Sequence, residues 1–546
     1  MSPLLKINDL RIEGRRNTRA PYSPIVKGVS LELARGEVLA LIGESGAGKS
    51  TIAVASMGYA KPGCRFSGGE VIFDGISVLD LTLEEKRQMR GARISYVAQS
   101  AAASFNASLR LDDQITEVSL AHGIGTRAEA EERMVDLARR MQLPDPENIV
   151  RKYPHQVSGG QLQRLMAVMA MNAVPDLLVL DEPTTALDVT TQVEVLAAFK
   201  DTLQHSGAAA IYVTHDLAVV AQVADKIKVL LHGETVEEGT TEQILHDPQE
   251  EYTKRLMAAV RPPPRSVQAA SRAGDLENVM RVQAVDAGYG KKLDGSPAVK
   301  ILHNINVDIP RGSAVGVIGE SGSGKSTLAR VMSGLLPPST GKVLLDGAEL
   351  AGNVKDRSRD QLRRVQIVMQ MPDVSFNPLK TVGEALERPL EFYLNMPTAQ
   401  RRERVAELLR MVELPPEFAG RRPQALSGGQ KQRVNLARAL AAEPEVILCD
   451  EVTSALDTVV GAQIIELLKR LQSDLNVTFV FISHDLSNVA SFADRLVVMF
   501  KGEVVEQGTT TEVLTPPFHD YTDLLLRSVP EMRQGWLEEV REAGVV

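Results

Sequence analysis

The chain contains the same set of short motifs twice, and this repeat limits its possible folds more than any other feature. GESGAGKST at 43–51 returns as GESGSGKST at 319–327. Three further motifs each return 269 positions later (426 − 157 for the first of them). They are VSGGQLQR and LSGGQKQR, LLVLDEPTTALD and VILCDEVTSALD, and YVTHDL and FISHDL. A repeat of this length predicts two copies of one domain rather than a single large core.

A short linker is expected between the two copies. The segment RPPPRSVQAASRAGDLE, residues 261–277, is rich in Pro, Ala, Ser and Arg and has no apolar periodicity. We therefore predict a first domain over residues 1–260, a linker over 261–279 and a second domain over 280–546.

Each copy has the pattern of an α/β domain. Apolar runs such as EVLALIG and VILCDE end in the polar motifs, as buried strands of a parallel sheet do when ligands bind at their carboxyl ends. LKINDLRI and VKGVSLELARG alternate in polarity, which predicts a smaller antiparallel sheet. AEAEERMVDLARRMQL has helical spacing and precedes SGGQ. The predicted fold class is α/β, with two tandem P-loop domains that each carry an antiparallel β subdomain and an α-helical subdomain.

Composition and charge argue against several classes of protein. A net charge of −9 and a pI near 5.7 give no general attraction to nucleic acid. Cys64 and Cys449 are the only cysteines, too few for a disulfide framework or a four-ligand metal site. No run of ~18 to 20 apolar residues is present to span a bilayer. We expect a chain that stays in the cytoplasm.

The glycine loop has the residues needed to hold a phosphate. Gly43, Gly46 and Gly48 let the backbone wrap an anion at a helix start, Lys49 reaches the β and γ phosphates, and the Ser50 hydroxyl ligates magnesium. A single match could be a glycine turn followed by a chance Lys-Ser pair. Two matches at equivalent places of a repeat exclude that explanation.

Carboxylates and a histidine follow the later strands of the first copy. Asp181 can hold magnesium through water, and Glu182 can polarise the attacking water as a general base. His215 follows YVT, where a γ-phosphate contact is expected because the residue recurs in the repeat. The second copy has the same residue types at Asp450, Glu451 and His484.

The two glutamines and the SGGQ motifs are the remaining candidates for contact with a nucleotide. Gln99 and Gln370 either join the magnesium shell or are surface amides, and position alone does not decide between them. Ser158, Gly159 and Gly160 offer a hydroxyl and backbone N–H groups, a second phosphate surface that one nucleotide cannot use together with its own glycine loop. We therefore predict composite sites, in which each loop pairs with the SGGQ of the other copy.

As a set, these motifs resemble those of the ATP-binding subunits of ABC transporters over nearly the whole chain. The resemblance implies a RecA-like core, ATP and Mg²⁺ as cofactors, and a closed head-to-tail pair of domains when ATP is bound. It implies that Asp188 and Asp457 link the two sites and that Tyr289 stacks on adenine. In the first copy Tyr22 is the best candidate for that stacking role, or it is a surface turn residue.

The resemblance assigns the following residues by matched position. The catalytic candidates are Glu182, His215, Glu451 and His484. The ATP-binding candidates of the first copy are Gly43, Glu44, Ser45, Gly46, Ala47, Gly48, Lys49, Ser50, Thr51, Gln99, Ser158, Gly159, Gly160 and Gln161. Those of the second copy are Tyr289, Gly319, Glu320, Ser321, Gly322, Ser323, Gly324, Lys325, Ser326, Thr327, Gln370, Ser427, Gly428, Gly429 and Gln430. The metal candidates are Ser50, Gln99, Asp181, Ser326, Gln370 and Asp450.

The segments after each ATPase core narrow the resemblance to importers. DPQEEYTKRLMAAV at 247–260 and TPPFHDYTDLLLRSVP at 515–530 look like the Pro and Tyr-Thr segment of oligopeptide, dipeptide and nickel importers. No iron–sulfur cluster is predicted, because no cysteine follows Cys449. The implied partners are two transmembrane permease subunits and, through the assembled transporter, an extracytoplasmic substrate-binding protein, with peptides as the expected cargo and the cytoplasmic face of the cell membrane as the location.

The segment after each glutamine is expected near the permease. Phe105-Asn106 and Phe376-Asn377 match between the copies, but SAAASFNASLRL in the first copy departs from the usual version with proline. The aromatic ring either lines the docking groove or packs inside the helical subdomain. A soluble twin-cassette ATPase that acts on ribosomes or nucleic acid is the main alternative function, and a P-loop kinase would leave the repeated SGGQ unexplained.

Overall fold

The structure is a computed structural model that describes residues 2–15, 20–184, 187, 189–260, 277–290, 297–454 and 456–544. These residues form two compact units. The first unit contains the chain up to Val260 together with Pro530–Val546, and the second contains the chain between them. Asp188 and the predicted linker up to residue 276 lie outside the described residues.

The first unit has the predicted mixture of strands and helices. Its strands are β1 (Leu5–Gly14), β2 (Ser23–Leu33), β3 (Val38–Gly43), β4 (Cys64–Phe73), β5 (Ile76–Ser77), β6 (Ile94–Val97), β7 (Leu177–Asp181), β8 (Ala209–Val213), β9 (Lys226–Leu231) and β10 (Glu234–Thr240). Its helices before the linker are α1 (Lys49–Ala55), α2 (Leu83–Met89), α3 (Ala101–Ser104), α4 (Leu111–Ala121), α5 (Arg127–Arg140), α6 (Pro146–Ile149), α7 (Gly159–Met171), α8 (Val189–Ser206), α9 (Leu217–Val223), α10 (Thr241–His246) and α11 (Glu251–Val260).

Two sheets organise this unit. The larger has the order β10-β9-β3-β8-β7-β6, with parallel pairing except between β9 and β10. Strands β3, β7 and β8 are buried along their whole length, as strands covered on both faces must be. The smaller sheet is antiparallel, in the order β2-β1-β4-β5. Helices α3 to α7 lie between β6 and β7, which confirms the predicted helical insertion.

The second unit repeats this order of elements. Its strands are β11 (Asn278–Tyr289), β12 (Val299–Pro310), β13 (Ala314–Ile318), β14 (Thr340–Leu345), β15 (Ala348–Glu349), β16 (Val365–Val368), β17 (Val446–Asp450), β18 (Thr478–Ile482), β19 (Arg495–Phe500) and β20 (Glu503–Thr509). Its helices are α12 (Lys325–Met332), α13 (Arg359–Arg364), α14 (Pro372–Ser375), α15 (Val382–Leu394), α16 (Thr398–Met411), α17 (Gly428–Leu440), α18 (Thr458–Leu475), α19 (Leu486–Phe492), α20 (Thr510–Val513) and α21 (Asp520–Arg527).

The sheets of the second unit have the same topology as those of the first. The larger runs β16-β17-β18-β13-β19-β20 and the smaller β12-β11-β14-β15. In each unit one apolar cluster joins residues of the antiparallel sheet to the parallel sheet and to the helix after the glycine loop. The two sheets therefore form one core per unit, and that core fixes the glycine loop relative to the strands that carry the carboxylates.

An ion network recurs at the entrance to the parallel strands. In the first unit Arg93 contacts both Asp74 and Asp176, at 2.7 and 2.8 Å. In the second unit Arg364 contacts Asp346, and its Nε lies 2.5 Å from Glu445. The network ties the end of the antiparallel sheet to strands of the parallel sheet.

The C-terminal segment departs from the predicted domain boundaries. The prediction placed residues 280–546 in one body, but Pro530–Val546 packs in the first unit. Helix α22 (Trp536–Glu542) buries Trp536, Leu537 and Val540 there. An amphipathic pattern in sequence identifies a buried face but not the surface that covers it.

Polar contacts fix this segment to helices α8 and α9. The buried Gln222 side chain donates to the carbonyls of Glu531 and Arg533, at 2.7 and 2.9 Å, and accepts from the N–H of Leu537 at 3.1 Å. It thereby satisfies an N–H in the first turn of α22 that has no partner within the helix. Arg541 makes a bidentate pair with Asp201, with both distances 2.7 Å.

None of the described helices is long and apolar enough to cross a membrane. Cys64 and Cys449 are both free thiols, the first half-buried and the second buried.

Candidate active sites

The two glycine loops lie at the ends of β3 and β13. Gly43 has φ 141°, and a Cβ built on it would stand 2.0 Å from the carbonyl oxygen of Leu230. Gly319 has φ 146° and the same close approach, 2.1 Å, to Met499. Only glycine fits a backbone held this tightly against the neighbouring strand. The predicted loops therefore form at these positions and begin α1 and α12.

The loop lysines point back into their own loops. The Lys49 ammonium group donates to the carbonyls of Gly43 and Glu44, at 2.6 and 3.0 Å. Lys325 donates in the same way to Gly319 and Glu320, at 2.7 Å each. Both lysines are buried. The loop thus holds a positive charge within its curve, where a bound phosphate would be stabilised.

A hydroxyl and a carboxylate meet beside each loop. Ser50 Oγ donates to Asp181 Oδ1 at 2.7 Å, and Ser326 Oγ donates to Asp450 Oδ1 at 2.8 Å. These are the hard oxygen donors that Mg²⁺ prefers, and Mg²⁺ usually takes its other ligands from water and substrate phosphates. Within the described ranges, no group of three or more His, Cys, Asp or Glu side chains could hold a metal by itself. The residues present fit Mg²⁺ bound together with a nucleotide.

The candidate bases lie one residue beyond the metal carboxylates. Glu182 Oε2 accepts from Gln99 Nε2 at 2.8 Å, and Glu182 Oε1 lies 3.2 Å from His215 Nδ1. Glu182 has φ 51°, an uncommon value for a residue with a Cβ, and its N–H donates to Val213 on the adjacent strand. The carboxylate of this residue thus contacts both the glutamine and the histidine.

The second unit repeats this cluster with small differences. Glu451 has φ 49°, accepts from Gln370 Nε2 at 2.6 Å, and lies 3.6 Å from His484 Nδ1. Gln370 also lies 3.4 Å from the hydroxyl of Ser454, a residue that the motif analysis did not single out. Both glutamines are exposed, so the structure brings them to the Glu–His pair without removing them from solvent.

Neighbouring charges and burial shift the pKa values of the site residues. The Glu451 carboxylate raises the pKa of His484 above its ordinary value, and His484 in turn lowers the pKa of Glu451. Burial raises the pKa of Asp450. In the first unit burial by itself would lower the pKa of His215, but the Glu182 carboxylate outweighs it and the pKa is raised. In both units the glutamate therefore favours the protonated form of the neighbouring histidine.

The SGGQ motifs begin helices α7 and α17. Ser158 is the N-cap of α7: its hydroxyl accepts from Gln161 N at 3.2 Å, and its own N–H donates to the Gln161 side chain at 3.0 Å. Ser427 and Gln430 form the same capping box on α17. Ser158, Gly159, Ser427 and Gly428 are exposed. Each motif thus presents a fixed helix start to solvent.

The second glycine of each motif has a packing role. A Cβ on Gly160 would lie 2.4 Å from the Thr191 side chain, and one on Gly429 would lie 2.5 Å from Val460. Asp457, which the resemblance places between the two sites, caps α18 by accepting from the N–H of Val460 at 3.0 Å. Its counterpart Asp188 lies outside the described residues.

The two candidate adenine residues differ. The Tyr289 hydroxyl lies 2.8 Å from Arg330 and 3.4 Å from Thr327, so the tyrosine stands beside the helix that follows the second glycine loop. The Tyr22 ring is covered by the guanidinium of Arg65, 4.0 Å from the ring centroid. The position of Tyr289 suits a stacking role, whereas the ring of Tyr22 already has a cationic neighbour.

Phe105 and Phe376 are buried, at 6% and 7% exposure. The Arg438 guanidinium lies 5.1 Å from the Phe376 ring centroid. Of the two placements left open by the sequence, packing inside the helical region is therefore the one observed. The exposed apolar residues of the second segment are Met371, Val374 and Leu379, which flank the buried ring.

Three tyrosines that the sequence did not connect with the site contact it, although two of them lie in the quoted Tyr-Thr segments. Tyr96 donates its hydroxyl to Asp181 Oδ2 at 2.9 Å. The hydroxyls of Tyr252 and Tyr521 accept from the loop N–H groups of Glu44 and Glu320, at 3.2 and 2.8 Å. The recurrence of Tyr252 and Tyr521 at the repeat distance, 269 (521 − 252), was a signal for their shared role.

Comparison with known protein families identifies the two units. The family model described as ABC transporter matches residues 26–185 and 302–454, which together exceed half of the chain. The chain belongs to the ABC transporter family. A second model, described as the C-terminal region of oligopeptide/dipeptide transporters, matches residues 236–290 and 505–545. This ABC protein therefore has two cassettes in one chain, each followed by that C-terminal region.

Curated relatives align over nearly the whole ABC chain. It is 37% identical to the peptidoglycan transport ATP-binding protein YejF of Agrobacterium fabrum, with 96% of both chains covered. It is 36% identical to the glutathione import ATP-binding protein GsiA of Escherichia coli K12, with 92% of this chain and 86% of the relative covered. The chain is the ATP-hydrolysing subunit of an import system of this family, as its motifs predicted.

Solved structures match single cassettes. One is the dimeric post-hydrolysis state of the ATP-binding cassette MJ0796 bound to ADP and Pi, at 36% identity and a TM-score of 0.37, covering 42% of this chain and 98% of that chain. Another is cbiO1 from Clostridium perfringens, at 30% identity and a TM-score of 0.38, covering 43% and 90%.

Proposed function

We propose that this ABC subunit drives the import of peptides or related small solutes by hydrolysing Mg²⁺-bound ATP at two sites. The observation that carries the proposal is that both units bring the same five groups together with closely similar distances. These are the loop lysine, the Ser–Asp pair, the general base, the histidine and the glutamine. Because neither cassette has lost a group, both sites are competent for hydrolysis.

The residues of one site have distinct proposed roles. Lys49 and the loop N–H groups bind the phosphates, while Ser50 and Asp181 would hold Mg²⁺, which neutralises phosphate charge when bound. Glu182 accepts a proton from the attacking water, and His215 contacts the γ-phosphate. The corresponding residues of the second site are Lys325, Ser326, Asp450, Glu451 and His484.

Each ATP is proposed to be closed in by the SGGQ of the other cassette. Ser427 and the N–H groups after it would contact the ATP held by Lys49, and Ser158 the ATP held by Lys325. The exposed, capped helix starts of α7 and α17 support this assignment. A capping box fixes the hydroxyl and the first helical N–H groups in place before the nucleotide arrives.

The proposed membrane partners are two permease subunits. Met371, Val374 and Leu379 are 59%, 76% and 76% exposed, and they lie in the segment that follows Gln370. Exposed apolar side chains grouped within nine residues suit an apolar cytoplasmic segment of a permease. Such docking would place the chain on the cytoplasmic face of the cell membrane, and a substrate-binding protein would act through the assembled transporter.

The substrate class is proposed from the relatives. The C-terminal model of oligopeptide/dipeptide transporters matches after both cassettes, and the cited relatives are named for glutathione and peptidoglycan transport. Peptides and peptide-like solutes are the chemistry shared by these descriptions.

Copurification from detergent-solubilised membranes tests the permease proposal. We expect the tagged chain to retain two integral membrane proteins, and Val374→Glu with Leu379→Glu to lose them while ATP binding is unchanged. The corresponding double variant of the first cassette is Ala103→Glu with Ser108→Glu. It shows whether the segment after Gln99 also contacts a permease. Recovery with ribosomes and without membrane subunits would instead favour a soluble twin-cassette ATPase.

A further inference from the structure

The backbone of the second residue of each glycine loop holds several groups at once. The carbonyl of Glu44 accepts from Lys49 Nζ at 3.0 Å and from the N–H of Ala47 at 3.1 Å. The carbonyl of Glu320 accepts from Lys325 Nζ at 2.7 Å and from the N–H of Ser323 at 3.2 Å. The orientation of this one residue therefore sets both the curve of the loop and the position of its lysine.

A tyrosine from outside the ATPase core anchors the same residue in each unit. The N–H of Glu44 donates to the hydroxyl of Tyr252, and the N–H of Glu320 donates to the hydroxyl of Tyr521. Both tyrosines are buried, at 7% and 4% exposure. They stand on α11 and α21, beyond the residues matched by the ABC transporter model and within those matched by the oligopeptide/dipeptide C-terminal model.

Each of these helices is itself fixed at its start by a glutamate. Glu237 on β10 accepts from the N–H groups of Gln249 and Glu250, at 2.8 and 3.2 Å, just before α11. Glu506 on β20 accepts from the N–H of His519 at 3.2 Å and from the Thr522 hydroxyl at 2.5 Å. A continuous set of contacts thus runs from the last strand of each unit through a helix to the loop.

We propose that Tyr252 and Tyr521 are positioning residues for ATP binding, through which the C-terminal region of each cassette holds its phosphate loop in shape. This inference rests on the proposed role of Lys49 and Lys325 in binding ATP. Removing the hydroxyl takes this acceptor from the N–H of Glu44 or Glu320. The carbonyl of the same peptide, that of Gly43 or Gly319, accepts from the loop lysine at 2.6 or 2.7 Å, so the lysine loses part of its orientation. The expected loss is in nucleotide affinity, because each tyrosine hydroxyl contacts the loop that would hold the phosphates.

Equilibrium binding of the fluorescent analogue mant-ATP to the full chain tests the proposal one site at a time. In a Lys325→Ala background only the first loop remains, and Tyr252→Phe should weaken binding about 3- to 10-fold, the loss expected for one hydrogen bond. In a Lys49→Ala background the same should hold for Tyr521→Phe. Each tyrosine variant should leave the other site unchanged, and hydrolysis should show a raised KM with a nearly unchanged kcat.

Matched controls separate the possible outcomes. Tyr59→Phe alters an exposed tyrosine after α1 and should leave the affinity unchanged in either background. A lower melting temperature with unchanged mant-ATP affinity would overturn the proposal, since it would show a structural role alone. Binding that survives Lys49→Ala with Lys325→Ala would instead contradict the proposed function of the loops themselves.

Discussion

The hydroxyl of Tyr96 donates a 2.9 Å hydrogen bond to Asp181 Oδ2, while Ser50 donates to the other carboxylate oxygen at 2.7 Å. Burial raises the pKa of Tyr96 and the charge of Asp181 adds to the effect, so the phenol remains a donor. At the matching position of the second cassette stands Ile367, which has no donor group. The two candidate magnesium sites therefore differ in how the carboxylate is held.

This difference predicts unequal metal affinities. With the second loop disabled by Lys325→Ala, Tyr96→Phe should weaken Mn²⁺ binding in the presence of ATP by about 3- to 10-fold, because one oriented hydrogen bond is lost. Electron paramagnetic resonance of free Mn²⁺ measures the affinity directly. Ile367→Phe in the second cassette, measured with Lys49→Ala, serves as the control. An equal loss of Mn²⁺ affinity in that variant would show that the Tyr96 hydroxyl is not the cause.

Replacement of either candidate base should stop turnover at its own site. Glu182→Gln and Glu451→Gln each keep the shape of the side chain but remove the proton acceptor, so hydrolysis at that site should fall by about 10²-fold or more. Bound ATP should persist in each variant and be recovered intact after rapid gel filtration. A variant that left transport-coupled hydrolysis unchanged would show that its site does not contribute.

The ion network of the second cassette predicts a pH-dependent stability. Hydrogen bonds from Arg364 lower the pKa of Glu445, so the paired carboxylate stabilises the folded state above its unfolded pKa of about 4.5, and this stability is lost as the pH falls. Glu445→Gln should lower the melting temperature at neutral pH. The free energy of unfolding should fall by on the order of 1 kcal/mol, because the network is partly exposed.

Calorimetry from about pH 7 down to about pH 4 tests whether the stability that Glu445 contributes is lost in acid. The difference in melting temperature between wild type and Glu445→Gln should become smaller as the pH falls. Glu503→Gln, at an exposed position of β20, should show little difference at any pH. A difference that widens in acid would contradict the assigned direction.

Trp536 is the only tryptophan and is 4% exposed, so its fluorescence reports the docking of the C-terminal segment. Asp201→Arg opposes Arg541, and we expect a red-shifted emission with increased acrylamide quenching. Adding Arg541→Asp should restore the wild-type spectrum. Asp474→Arg, on the corresponding helix of the second unit, should leave the emission unchanged. A Trp536 that acrylamide already quenches strongly in the wild type would contradict the docking.

The parts of the fold predicted correctly are those that local chemistry decides. Apolar runs ending in polar motifs predicted the parallel strands, and SGGQ was expected to present a hydroxyl and N–H groups, as it does at the start of α7. The bond between Tyr96 and Asp181 joins residues 85 positions apart, and only the pairing of β6 with β7 brings them together. The placement of Phe376 was left open, and the C-terminal segment was assigned to the second domain, because an apolar residue in sequence does not identify the surface that covers it.

We propose that the two ATP sites are shared between the cassettes. A structure of the full chain with Glu182→Gln and Glu451→Gln, determined with ATP and Mg²⁺, distinguishes shared sites from sites confined to one cassette. We predict that the Ser427 hydroxyl lies within hydrogen-bond distance of the γ-phosphate of the ATP on Lys49, and Ser158 likewise beside the ATP on Lys325. The claim would be contradicted if Ser158 lay against the ATP held by Lys49, in its own cassette.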